Sequence, residues 1–398
     1  MTLFSAVTLA PRDPILGLNE AFNSDPRRGK INLGVGVYFD EGGRIPLLQA
    51  TCKAQQSLLA TPAAPGYLPI DGLPAYNQCV QHLLFGEKSE LLQAQRVVTC
   101  QALGGTGALK IGADFLKTLL PDAVVAISDP SWENHRALFG GAGFKVQGYR
   151  YYDAQSQGVD LAGMLEDLRA LPPRSIVLLH ACCHNPTGVD LDADDWQVLI
   201  SLIKERDLVP FLDMAYQGFA QGIYEDAEVV RLLAGSGLTF LLASSFSKSF
   251  SLYGERIGAL SLVCASSGEA ERVRSQIKRV IRGNYSNPPI HGAALVSTVL
   301  GSAELSALWQ QELTQMRGRI CAMRQMLAAR LGEQVSGRDF SFITRQRGMF
   351  SYSGLSAQQV DRLRDEFAIY AVGSGRICMA ALNHSNLEQV VSAIAKVL

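Results

Sequence analysis

Long uninterrupted apolar stretches are missing from this 398-residue chain. Although 47% of it is hydrophobic, no run approaches the ~18 apolar residues that a membrane-spanning helix needs. An excess of charge is missing too: 36 lysines and arginines stand against 37 aspartates and glutamates, a formal net charge of −1. That balance, with no basic tract, leaves no electrostatic footprint for nucleic acid or an anionic membrane. Low-complexity segments and internal repeats are absent. The opening residues, MTLFSAVTLAPRDP, have neither the charged start nor the apolar core of a secretion signal. Eight cysteines occur, with Cys182 and Cys183 adjacent and no C-x-x-C. Such thiols read as reduced and mostly buried, and the expected compartment is the cytoplasm. No cysteine or histidine cluster has ligand spacing, so no metal is expected.

The length suggests more than one domain with an ample core. Short apolar runs recur through the middle of the chain: AVVAI (Ala123–Ile127), SIVLL (Ser175–Leu179), VPFL (Val209–Leu212), TFLLA (Thr239–Ala243) and ALSLV (Ala259–Val263). Near-continuous runs of this length suit strands covered on both faces. Helical patterns lie between several of them. One places Ala108, Ile111, Phe115 and Leu119 on a stripe, another Trp196, Leu199, Ile200 and Ile203. The alternation predicts an α/β fold with a largely parallel sheet wrapped by helices. After about Ser302 the pattern changes to a long charged helix from Glu304 toward Arg330, then GMFSYSG, a helix near Ala357–Phe367, AIYAV, RICMA and a final helix with Leu387, Val390, Val391 and Ile394. This predicts a smaller α+β domain, which the N-terminal forty-odd residues join.

In an α/β sheet, ligands bind beyond the carboxyl ends of the strands. Four stretches fall at such ends. QALGGTGALK puts Gly104, Gly105, Thr106 and Gly107 at a helix start, where free N–H groups suit a phosphate; a plain tight turn is the alternative. HACCHNPTG supplies His180, His184 and Asn185, which in isolation read as a turn with satisfied core histidines. FLDMAYQGF puts Asp213 after an apolar run, expensive unless a cation faces it, the alternative being a helix N-cap. In SSFSKSFSLYGERIG a lysine, Lys248, follows an apolar strand among serines, with Arg256 nearby. A lysine in a low-dielectric pocket becomes a neutral, nucleophilic amine, the requirement for Schiff-base chemistry, whereas an average lysine would snorkel at the rim. The serines and Arg256 offer donors to a phosphate. Lysine, phosphate donors and a buried carboxylate for a pyridinium nitrogen together form the pattern of pyridoxal phosphate.

With these residues assembled, the chain resembles the class I aspartate and aromatic aminotransferases of fold type I. The likeness runs through INLGVGVYFDE, GYLPIDG, GGTGALK, SDPSWENH, HACCHNPTG, PFLDMAYQGFA, SSFSKSFSLYGERIG, RGNYSNPP and GSGRICMAALN, nearly the whole chain. Among these enzymes, SFSLYGERIG, GMFSYSGLSAQQVDRLR and HACCHNPTG look most like the bacterial aromatic-amino-acid type. The resemblance implies a seven-stranded, mainly parallel sheet in a large domain over 46–315, a small domain over 13–45 and 316–398, and an arm over 1–12 that embraces a second subunit. It also implies site roles. Lys248 links to the cofactor and later shuttles the Cα proton, and Asp213 pairs with the ring nitrogen, with His135 behind it. Tyr216 and Asn185 bond the phenolic oxygen, and Trp132 stacks on the ring. Gly105, Thr106, Ser245 and Arg256 hold the phosphate, joined by Tyr67 from the partner subunit of a homodimer with shared active sites. Arg376 binds the substrate α-carboxylate as a planar fork, helped by Gly36 and Asn185, and Arg282 of the partner meets a dicarboxylate side chain.

The implied activity is transamination of aromatic amino acids and aspartate with 2-oxoglutarate. Phe39 and Ile45, near the expected entrance, favour a ring, while Thr106 and Asn287 look like the aspartate type, leaving an aspartate enzyme with minor aromatic activity as the alternative. Decarboxylation or β-elimination would use the same lysine. A DNA-binding regulator on this scaffold would need a basic segment that is missing, and a nucleotide oxidoreductase would need G-x-G-x-x-G where the loop reads GGTG.

Overall fold

The structure is a computed structural model that describes residues 2–10, 13 and 15–398. Seven strands make the main sheet: β1 (Val97–Leu103), β2 (Val124–Asp129), β3 (Lys145–Arg150), β4 (Ile176–His180), β5 (Val209–Met214), β6 (Phe240–Ser245) and β7 (Ile257–Val263). Their spatial order is β1-β7-β6-β5-β4-β2-β3. The pairs β2/β3, β2/β4, β4/β5 and β5/β6 are parallel. β7 runs antiparallel to both neighbours, β6 and β1. The cause is local: residues 246–256 are too few for the helical crossover that a parallel return needs.

β6 and β7 are buried along their whole length, as their near-continuous apolar sequences require. Two strands carry no apolar run. β1 is interrupted by Thr99 and Gln101, whose polar atoms are satisfied inside: Thr99 Oγ1 lies 2.9 Å from Ser261 Oγ, and Gln101 Nε2 donates to Pro289 O at 2.6 Å. β3 is an edge strand with most residues facing solvent.

Helices cover both faces. Helix α1 spans Leu16–Ser24, and α2 spans Gly104–Leu119 directly after β1. Ala108, Ile111 and Phe115 of the expected stripe are buried, but Leu119, in the last turn, is 53% exposed. Gly112 lets α2 sit close on the sheet, since a Cβ there would fall 2.5 Å from Phe211 Cζ. Helix α3 (Ser267–Asn284) follows β7, and α4 runs over Ala303–Gln334.

Beyond α4 the chain forms the expected α+β segment. Strand Phe350–Tyr352 pairs antiparallel with Arg376–Cys378, and helices span Ala357–Phe367 and Leu387–Val397. Ile31 and Asn32 pair in parallel with Ile369 and Tyr370, which brings the early chain onto the late chain. Arg319 of α4 ties the same two ends together, donating to Tyr38 Oη at 2.8 Å, Leu382 O at 2.6 Å and Ala380 O at 2.8 Å. Of the expected arm, Met1, Pro11 and Arg12 lie outside the described residues; within the rest, Leu3, Phe4, Val7 and Leu9 are exposed. Among the described residues no single helix is long and apolar enough to cross a membrane.

Candidate active site

A cavity of about 650 Å³ opens at the carboxyl ends of the central strands. It is lined by Lys248, Asp213, Tyr216, Asn185, Trp132, Gly105, Thr106, Ser245, Arg256, Gly36 and Arg376, drawn from positions 340 residues apart. Sheet topology does the gathering. Asp213, within β5, sits opposite His180 of β4 and Ala243 of β6. Its place inside a strand rules out the N-cap reading. Lys248 and Arg256 both lie on the 246–256 connection, so the reversal into β7 delivers two cations to one rim.

Burial pushes the Asp213 carboxyl up, but His135, whose Nε2 donates to Oδ2 at 2.9 Å, holds it below the usual carboxylate range, with the Lys248 charge adding to the effect. Ser131 Oγ, 2.9 Å from Nδ1, orients that ring from its other side. Burial pulls the Lys248 amine down to about 8; Asp213 opposes this, while Arg256 and Arg376 reinforce it. Lys248 Nζ lies 4.7 Å from the centroid of the Tyr216 ring. Burial raises the Tyr216 phenol, which stays protonated and able to donate.

At the other end, α2 presents the N–H groups of its first turn. The space there admits no extra carbon. Gly104 has φ +70° and a Cβ would fall 2.5 Å from Arg256 Nη2; at Gly258 it would fall 2.5 Å from the Gly104 carbonyl carbon. Arg256 itself is left-handed, φ +51°, an uncommon state for an arginine. Its Nη1 donates to Tyr253 O at 3.0 Å and to Ser247 Oγ at 3.4 Å. The Arg256 guanidinium, the hydroxyls of Thr106, Ser245 and Ser247 and a helix start form a cradle for a dianion.

Arg376 is 1% exposed. Nη1 donates to Asn185 Oδ1 at 3.0 Å and Nη2 to Gly34 O at 2.7 Å, while Nε has no partner among the described residues. His180 Nε2 is likewise buried without a partner among the described residues, and burial pulls that ring down to about 3, leaving it neutral. His184 is the satisfied core histidine that its sequence suggests, set between Ser128 Oγ at 2.9 Å and Thr187 Oγ1 at 2.8 Å. The trio His135, His180 and Asp213 has donor atoms within 4.8 Å of one another, as do Cys182, Cys183 and Asp226. Sequence spacing hides both groups, since strand pairing assembles them.

Tyr67 and Arg282 do not join the cavity of the single chain. Tyr67 is 98% exposed, and Arg282 points from the last turn of α3 toward Ser286 Oγ. Neither Phe39 nor Ile45 lines the cavity, and Asn287 Nδ2 donates to Leu68 O at 3.1 Å. Lining residues that were not singled out from the sequence include Ser247, Tyr253, Phe350 and Leu16. Ser247 was findable as the neighbour of Lys248. Tyr253 accepts the Tyr38 N–H at 2.9 Å, a contact across 215 residues that no local pattern signals.

An amine poised near neutrality, an ionised carboxylate, a dianion cradle and a carboxylate-binding arginine, set on a mainly parallel sheet with a smaller α+β segment, define an enzyme of the fold type I pyridoxal-phosphate class. Residues 28–394 match the family described as aminotransferase class I and II. Similar proteins include an aspartate aminotransferase of Pseudomonas aeruginosa, 68% identical over all of both chains, and an aromatic-amino-acid aminotransferase of Escherichia coli K12, 51% identical over all of both. The crystal structure of an aromatic-amino-acid aminotransferase from Burkholderia pseudomallei, covalently bound to pyridoxal phosphate, superposes over both full chains with a TM-score of 0.98 at 63% identity. The chain belongs to the class I and II aminotransferase family and is a pyridoxal-phosphate-dependent aminotransferase. Its residues fit that cofactor: the start of α2, Arg256 and the hydroxyls of Thr106, Ser245 and Ser247 line one end of the cavity with donors for a dianion, and Asp213 and Lys248 line the space beyond it.

Proposed function

We propose that this enzyme transfers the amino group of tyrosine, phenylalanine, tryptophan and aspartate to 2-oxoglutarate, giving the matching 2-oxo acid and glutamate by a ping-pong cycle on pyridoxal phosphate. The observation that carries this reading is the pairing, in one cavity, of a lysine amine brought down to about 8 with a buried arginine whose Nε has no partner among the described residues. Bound pyridoxal phosphate supplies an electron sink for the pair left behind when the Cα–H bond breaks. This chain's residues do the rest. Gly105, Thr106, Ser245, Ser247 and Arg256 hold the phosphate. Asp213, kept ionised through His135, pairs with a protonated ring nitrogen, while Asn185 and Tyr216 donate to the phenolic oxygen and Trp132 covers one face. Lys248 holds the cofactor between turnovers and, as a free amine, takes and returns the proton at Cα. Arg376 receives the α-carboxylate that every substrate carries, and Gly36 leaves room beside it.

The chain acts as a homodimer in the cytoplasm, with Tyr67 and Arg282 serving the partner's site. Their exposure on the single chain supports that reading, as do the exposed apolar residues of the arm. The division into an arm over 1–12, a large domain over 46–315 and a small one over 13–45 and 316–398 is supported by the pairing of Ile31 with Ile369. A second reading, an aspartate enzyme with minor aromatic activity, is favoured by the name of the Pseudomonas aeruginosa relative and by Thr106 in the cradle. Adding each amino acid alone to the holoenzyme, and following loss of the visible absorbance of the lysine-bound cofactor, decides between the two. Fast loss with phenylalanine and tyrosine as well as aspartate is expected; loss with aspartate alone selects the second reading, and no loss with any amino acid overturns both.

A further inference from the structure

Arg324 stands in the middle of α4, 3% exposed. A guanidinium so deep ordinarily has a carboxylate partner, because an unpaired buried charge is strongly disfavoured. Among the described residues Arg324 has none within ion-pair distance; burial pulls it down to about 10, and it remains a cation at neutral pH. Its donors go instead to three carbonyls of one short segment: Nη1 to Ile343 O at 3.1 Å, Nη2 to Gly348 O at 2.8 Å, and Nη2 also to Phe350 O.

That segment is wedged from its other side. Gly348 has φ +76°, and a Cβ on it would fall 2.5 Å from Cys183 Cβ. A Cβ on Gly188 would fall 2.7 Å from Phe350 O. The backbone entering Phe350 is therefore pressed between the 183–188 turn and the Arg324 guanidinium. Phe350 then reaches the site directly. Its ring centroid lies 4.3 Å from Arg376 Cζ and 5.7 Å from the Tyr216 ring, edge-on at 80°. It also occupies the space that a Cβ on Gly36 would take, at 2.8 Å.

We propose that Arg324 is a positioning residue for carboxylate binding: by holding the carbonyls of Ile343, Gly348 and Phe350, it keeps the Phe350 ring under the Arg376 guanidinium and fixes the place of the fork that receives the α-carboxylate. A planar donor pair binds a carboxylate well only in one orientation, and a ring held within cation–π distance restricts that orientation. This rests on the reading of Arg376 as the α-carboxylate anchor. Because the α-carboxylate is common to all substrates, loss of Arg324 weakens them by one shared factor, whatever their side chain. A lysine at 324 restores part of the effect, since an ammonium satisfies some but not all of the three carbonyls.

The test uses holoenzyme carrying Arg324→Gln, Arg324→Lys, Phe350→Leu, or Arg324→Gln with Phe350→Leu. KM for aspartate, phenylalanine and 2-oxoglutarate is expected to rise together by about tenfold in Arg324→Gln, with kcat changing far less. The Kd of 3-phenylpropionate, a monocarboxylate that cannot turn over, rises by the same factor in calorimetry. Arg324→Lys falls between, Phe350→Leu reproduces the shift, and the double variant adds little. Unchanged KM and Kd in folded Arg324→Gln overturn the proposal, as do substrate-selective losses. Should Arg324→Gln fail to fold, Arg324→Lys and Phe350→Leu decide: an unchanged Kd in both overturns it. If the parent enzyme neither binds 3-phenylpropionate nor turns over, the reading of Arg376 falls instead.

Discussion

Lys248 shows how one side chain draws its chemistry from its surroundings. Its amine titrates near 8 in the folded chain against 10.5 free. Between those values the unfolded chain binds one more proton than the folded one, so stability of the cofactor-free protein rises with pH from about 8 to 10.5. Below about pH 8 the penalty is complete. Lys248→Met removes it, and melts of cofactor-free protein should show the variant gaining on the order of 2 kcal/mol below pH 8 and nothing above 10.5. The same variant should lose at least ~10²–10⁴-fold in turnover, since proton transfer and covalent attachment go together. Near-parent turnover would remove Lys248 from the chemistry. Asp213→Ala tests the neighbouring charge: a folded protein with turnover down by a similar order is expected, and unchanged kinetics would reduce Asp213 to a structural partner of His135. These residues are legible in the sequence because a charge at the end of an apolar run is costly and demands a reason. Phe350 and Tyr253 are not, because a buried aromatic is ordinary until the fold shows what it touches.

Among the elements, the 246–256 connection matters most, since its shortness turns β7 antiparallel and places both Lys248 and Arg256. It packs against the start of α2 so closely that Gly104 has no room for a Cβ beside Arg256. Gly104→Ala would put a carbon 2.5 Å from Arg256 Nη2 at a φ of +70°, displacing the guanidinium. Loss of a hydrogen bond to a charged group, ~1.5–3 kcal/mol, predicts cofactor affinity down by roughly 10–100-fold, measurable by fluorescence quenching. At Gly105 the nearest atom is Ser245 Cβ at 3.2 Å, so Gly105→Ala should cost much less, and equal losses would count against the cradle. Central strands were legible from their apolar runs because both faces are covered. β1 and β3 were not: inward polar pairs interrupt the first, and solvent on its outer face gives the second a mixed composition.

At the scale of the whole molecule, what a single chain leaves exposed is as informative as what it buries. Tyr67, Leu3, Phe4, Val7 and Leu9 are large, apolar and uncovered. A chain lacking residues 2–10 should melt lower and with a stronger dependence on protein concentration, as expected when association is coupled to folding. Arg282→Ala should lower kcat/KM for aspartate and glutamate by roughly 30-fold or more, because a charged side chain then enters without its partner, and phenylalanine much less. Mixing Arg282→Ala chains with Lys248→Ala chains should restore aspartate turnover if the arginine serves the neighbouring subunit; no recovery would place it in its own site. The sequence reached this level only through family resemblance, since nothing in composition or spacing says that a surface tyrosine belongs to another copy. One further consequence comes from the two-residue ribbon joining Ile31 and Asn32 to Ile369 and Tyr370. During synthesis its first half waits, tens of seconds at cellular elongation rates, for its second half to leave the ribosome, while Lys248 and Asp213 have long since emerged. A nascent chain halted before Ile369 would already hold the cofactor's lysine yet lack Arg376, and would therefore meet pyridoxal phosphate before it could meet an amino acid.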